Sequence, residues 1–271
     1  MRSTPFLWLS LMLPASASGQ DRPEPRLGIE ISSGLSSFPD VQVPIDYADY
    51  SAPVRADGTK AGTENATHRG FPLSVAARYT AIQAKSWMLH TFATFTTVPA
   101  AMGPPDTLNA SYLTIAAGIG PSVALFASRF ELGLLASVHR TAYMNVSTGH
   151  ALDALLFEPR LSWRPSQRLV FSGFMATSAL SRFSYLNGQG FLGQSLANAT
   201  ADLDILGVST RYALTSVADL ILGIETERAA VTVPNVIAYR NTGLRLTFPR
   251  QESLNLTLET QVIKLGCSKK W

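Results

Sequence analysis

Cysteine is almost missing from this chain of 271 residues: Cys267 stands alone, which excludes an intramolecular disulfide and a cysteine-built metal site. Charge is scarce too. Charged side chains make up 15% of the sequence while hydrophobic ones reach 46%, against about 25% charged in an ordinary soluble domain. That shortage favours a membrane, yet there is no clean, strongly apolar run of about 18 residues to form a spanning helix. A net charge of +3 comes with no Lys/Arg cluster interleaved with aromatics, so nothing marks a nucleic-acid surface. No Gly-rich phosphate loop follows a strand and opens a helix, so nucleotide binding has no support. His68 and His150 fall in expected loops without ligand-like spacing, and neither a metal site nor a cofactor is expected.

What is present begins with an export signal. Arg2 is followed by an apolar centre from Phe6 to Leu13 and by Ala15-Ser16-Ala17, the order of a cleaved signal peptide. This predicts a signal at 1–17, an extended periplasmic leader at 18–25 and one domain over 26–271.

The domain is read from Leu155 to Met175. Leu155, Phe157, Pro159, Leu161 and Trp163 alternate with Leu156, Glu158, Arg160, Ser162 and Arg164, which at period two separates an apolar face from a charged one. Pro165-Ser166-Gln167 turns the chain and a second alternating run starts at Arg168, so this is a β-hairpin. Aromatic residues on one face and charges of both signs on the other are the pattern of a wall between lipid and a polar lumen.

The unit recurs. Strands are expected at 26–35, 71–81, 87–98, 110–126, 130–143, 201–214, 220–230, 236–248 and 253–264, with a hairpin arm at Val41 to Tyr47. Tyr112 to Phe126 is uncharged and resembles a membrane helix, but Gly118, Gly120 and Pro121 weaken a helix centre, and Leu113, Ile115, Ala117 and Ile119 keep period two. In 201–214, Asp202 and Asp204 are placed inward and Leu203 and Ile205 outward, with a β-bulge near Gly207 to change phase. In 253–264, Leu254, Leu256 and Leu258 are placed outward. Connections are tight near 82–86, 127–129, 165–167, 215–218 and 249–252, and longer or more polar at 39–70, 99–108, 144–152 and 181–200. The strand count is eleven, whereas a closed antiparallel bacterial barrel normally takes an even number.

With this signal, these hairpins, the unequal connections and the terminal Trp271, the chain resembles bacterial outer-membrane β-barrel proteins over nearly all of its mature length. The resemblance implies an all-β fold, an antiparallel transmembrane barrel of about ten to twelve strands. It also implies contact with outer-membrane lipid and lipopolysaccharide, and recognition of Trp271 by the barrel-assembly machinery, although Lys269 and Lys270 just before it depart from the pattern. The expected role is a porin-like channel for small solutes or a structural surface protein, monomeric or weakly oligomeric. Adhesion or binding through the outer loops, such as 185–198, is an alternative. A secreted soluble β-sandwich is another.

The expected lumen residues are Arg78, His90, Glu131, His139, Glu158, Arg160, Arg164, Asp204, Glu225, Glu227, Arg245 and Glu259. Mixed charges there either pair and narrow the lumen or line a charge-selective pore. Ser137 and His139 share a strand face at i, i+2, as a nucleophile and base require. Outer-membrane phospholipase and lipid A deacylase families pair the same residues as His-x-Ser, and here the order is reversed, so a membrane acyl hydrolase is the enzymatic alternative. Five Asn-x-Ser/Thr triplets, at Asn65, Asn109, Asn145, Asn198 and Asn255, are read as chance in a chain rich in these residues.

Overall fold

Alternating side chains on extended backbone favour strands, and strands in lipid must pair on both edges, so the segments have to close on themselves. The computed structural model describes residues 26–39, 67–84, 86–101, 110–144, 149–186, 194–195, 199–238 and 250–271. Its elements are β1 (Leu27–Pro39), β2 (Thr67–Gly70), β3 (Leu73–Gln83), β4 (Trp87–Ala101), β5 (Ala110–Leu125), β6 (Phe130–Met144), β7 (Gly149–Trp163), β8 (Leu169–Leu186), β9 (Gln194–Ser195), β10 (Thr200–Ala213), β11 (Ala218–Ala238) and β12 (Arg250–Lys270).

Twelve segments make ten staves. Strand β2 pairs with β1 beyond the end of β3, and β9 pairs with β8 beyond the end of β10, so each prolongs its neighbour. The circular order is β1-β3-β4-β5-β6-β7-β8-β10-β11-β12, antiparallel throughout, and Gly28↔Lys270 to Ser37↔Gln261 joins the last stave to the first. Main-chain bonds between Leu27 and Trp271 finish that seam. Leu27 and Trp271 lie at the same end as the short connections after β3, β5, β7 and β10, here called the turn end. The opposite end is the loop end.

The count of eleven exceeded ten because 236–248 was taken as a separate strand. Val236, Ile237 and Ala238 instead continue β11, and Arg250 to Glu252, expected in a turn, open β12. The rest of that expected strand, with Tyr239, Asn241 and Arg245, lies outside the described residues. So do the signal peptide, the leader and the Val41 to Tyr47 arm. Strands also run further into the expected loops: β7 starts at Gly149 and β8 reaches Leu186. His68 and His150 therefore sit on strands, buried.

The expected bulge on β10 does not form. Pairing with β11 is unbroken from Thr200 to Ala213, and Ala201, Leu203, Ile205 and Gly207 are buried in strict alternation. Leu203 and Ile205 face the interior, and Asp202 and Asp204 face outward. On β12, likewise, Leu256 and Leu258 are buried and Glu259 is exposed. The physical reason is that the surroundings change along the wall. Near the loop end the interior is an ordinary apolar core, and it takes the apolar face of each strand. That core gathers Phe38, Val98, Tyr112, Tyr143, Leu152, Phe183, Leu203, Ile205, Val231, Leu256 and Leu258. Near the turn end the polarity is reversed, with Leu132, Leu161, Val208, Leu222 and Leu265 exposed on the outer face.

Candidate functional site: the lumen and its crossbar

A closed wall leaves one enclosed space, and strand parity decides what fills it. At the turn end the inward positions carry ion pairs. Arg78 on β3 reaches Glu131 on β6 at 3.1 Å, and Arg211 on β10 reaches Glu30 on β1 at 3.1 Å, both across staves that are not neighbours. Arg160 donates from Nε to Glu158 at 2.8 Å and lies over the Phe174 ring. That ring occupies the space left by Gly207, where a Cβ would stand 2.1 Å from a ring carbon. Lys264 pairs with Glu225 at 2.8 Å and Lys270 with Asp219 at 2.7 Å. His90 joins Thr80 at Nδ1 (3.2 Å) and Ser122 at Nε2 (2.8 Å), with Glu131 3.4 Å away. Arg78, His90, Ser122, Glu131, Arg160 and Ser162 together line a small cleft. Charges removed from bulk water need such partners.

Midway along the barrel the lumen is bridged. The Tyr112 hydroxyl donates to Glu227 Oε2 at 3.2 Å. Tyr112 is on β5 and Glu227 on β11, five staves apart in either direction round the ring of ten, so this bond spans the barrel's diameter. Tyr143 on β6 meets Thr260 on β12 at 3.3 Å, also across five staves, and donates to Glu227 Oε1 at 3.4 Å. His139 Nε2 lies 3.5 Å from Glu227 Oε2 and 2.9 Å from Thr141. Glu227 is 2% exposed and Thr260 1%. A carboxylate so deeply buried is tolerable because two phenols and an imidazole surround it. Above this crossbar the Phe38 and Tyr112 rings stack at 5.5 Å, and His150 stacks on Phe183 at 5.6 Å.

The expected lumen residues therefore divide. Arg78, His90, Glu131, His139, Glu158, Arg160, Glu225 and Glu227 are on inward positions. Asp204 and Glu259 are outward, because their strands have already entered the apolar-cored section. Arg164 is exposed in the turn after β7, where its backbone N–H donates to Arg129. Arg245 lies outside the described residues. Sequence reasoning did not single out Tyr112, Tyr143, Thr260, Glu30, Arg211, Lys264 or Asp219. Counting by twos from His139 through Thr141 reaches Tyr143, so parity alone held that signal.

Ser137 and His139 are both inward and buried, away from the lipid-facing wall. The imidazole's Nε2 is directed to Thr141 and Glu227. Among the described residues no three His, Cys, Asp or Glu side chains gather to hold a metal ion.

No family model and no curated protein matches the chain in sequence. Solved structures match its shape. The outer membrane protease OmpT from Escherichia coli superposes with a TM-score of 0.51 at 10% identity, over 91% of this chain and 97% of that one. The translocator domain of the autotransporter NalP from Neisseria meningitidis gives a TM-score of 0.44 at 11% identity, over 93% and 90%. The attachment invasion locus protein Ail of Yersinia pestis gives 0.30 at 12% identity, over 92% and 99%. The chain has, over nearly its whole described length, the fold of an outer-membrane β-barrel, all-antiparallel and closed at ten staves.

Proposed function

We propose that this is an exported barrel of the bacterial outer membrane whose lumen is shut, so that its role lies on its outer surface and loop end rather than in passing solutes. The observation that carries this reading is the crossbar: hydrogen bonds between Tyr112 and Glu227 and between Tyr143 and Thr260 span the full diameter, and fully buried side chains pack above them. A lumen bonded across its width and capped by an apolar core offers no path to a hydrated solute. Lipid and lipopolysaccharide are the partners of the wall. The barrel-assembly machinery is the partner of Trp271, whose ring is half exposed and faces the Lys269 ammonium at 4.9 Å. The test is to refold the mature protein, check by heat-modifiable gel migration that the barrel has formed, and record in a planar bilayer. No discrete conductance steps are expected; stable steps from folded protein would overturn the reading.

A further inference from the structure

The outer face of the wall carries a boundary. Outward positions of β6, β7, β8, β10, β11 and β12 bear Arg140, Asp153, Arg182, Asp204, Arg228 and Glu259, alternating in sign from stave to stave. Register pairs Arg140 with Asp153, Asp153 with Arg182, Asp204 with Arg228 and Arg228 with Glu259, and Arg140 lies 3.3 Å from Asp153. The charged positions form an arc over six of the ten staves, since β1, β3, β4 and β5 bear no outward charge; from this arc down to the turn end, the outward strand positions carry no charge except Lys269 beside the C-terminus. They carry mainly Leu, Val, Ile, Ala, Thr and aromatics instead, with Ser33, Gln261 and Cys267 among the exceptions. At the turn end the Phe126, Phe130, Trp163 and Phe171 rings form a continuous ladder, successive centroids 5.8, 6.5 and 5.7 Å apart. Aromatic rings with an apolar body suit the level of lipid head groups.

The separation of the two borders is decisive. Phe130 to Arg140 and Asp153 to Trp163 each span ten residues of strand, and Asp204 to Tyr212 spans eight. At about 3.3 Å per residue and a tilt of about 40°, that is about 20–25 Å of height, close to the thickness of an outer-membrane barrel's apolar band. The crossbar residue Glu227 adjoins arc residue Arg228, so the interior changes from polar to apolar where the exterior changes from apolar to charged.

We propose that the bilayer ends at the level of this arc of alternating charge, and that the wall beyond it stands in water as a projecting β-structure with its own apolar core. Among the described residues β11 and β12 project furthest, pairing on past Arg228 to Ala238↔Arg250. The inference rests on the membrane reading above and adds to it the depth of immersion. To test it, single nitroxide labels are placed in a Cys267→Ser background through Leu161→Cys, Val208→Cys, Asp202→Cys and Thr257→Cys. All four positions face outward and are exposed, so the core is untouched. Folded protein in dioleoylphosphatidylcholine vesicles is then probed with oxygen, which collects in lipid, and a nickel chelate, which stays in water. Labels at 161 and 208 are expected to collide several-fold more with oxygen, and labels at 202 and 257 several-fold more with nickel. Nickel-shielded labels at 202 and 257 would overturn the boundary while keeping the membrane reading. Nickel-accessible labels at 161 and 208 would overturn both.

Discussion

Strand β10 shows two regions of the molecule on one unbroken element. From Thr200 to Ile205 its apolar side chains point inward and its carboxylates outward; from Leu206 to Tyr212 Leu206, Val208 and Tyr212 point outward and Ser209 and Arg211 inward. The backbone never changes phase. The loop-end region has an apolar core and a charged outer face, and the turn-end region has an apolar outer face and a polar filling. The difference teaches that polarity alternation reports only that two faces meet different media.

The comparison breaks most severely where a charge enters the apolar core. Leu203→Asp leaves a buried carboxylate with no partner and is expected to cost more than about 4 kcal/mol, seen as loss of the heat-modifiable folded band. Asp204→Leu, one residue away but facing water, should stay within about 0.5 kcal/mol. A smaller contrast compares two outward positions of β11. Leu222→Arg in the apolar belt should cost about 2–4 kcal/mol of folding into lipid vesicles, measured by denaturant midpoint, because the guanidinium must leave water. Ala230→Arg, beyond the charged arc, should cost close to nothing; equal losses at both sites would place lipid around both.

The crossbar comes next. Tyr112→Phe keeps the ring in the core and removes one of the donors to Glu227, for an expected loss of about 1–3 kcal/mol. No shift in the unfolding midpoint would mean that the bond contributes nothing to closure. The smallest effect is assigned to the half-wet ion pairs of the turn end. Arg211→Met should change stability by no more than about 1 kcal/mol, and the difference should shrink as salt is raised.

Much of the architecture was legible in the sequence. The alternation from Leu155 to Trp163, the turns near 82–86, 127–129 and 165–167, and the β reading of Tyr112 to Phe126 follow from side-chain period and from what Gly and Pro do to a helix. Lys264 and Arg211, which the sequence reading did not single out, lie on the inward phase of their strands. Counting strands failed at 236–248 because β11, at 21 residues, is longer than the roughly 9–11 residues that a bilayer crossing requires of a strand. Facing failed at Leu203, Ile205, Leu256 and Leu258 for a related reason, since one rule of lipid outside was applied along the whole wall.

The sequence by itself determined the strands, the tight turns and a chain that alternates from end to end, because local steric preference and side-chain period act between residues close along the chain. Tertiary structure alone decided the closure at ten staves, the level at which inside and outside exchange polarity, and the meeting of Tyr112 with Glu227. The two are 115 positions apart in the chain, and only the circumference of a closed barrel makes them diametric partners.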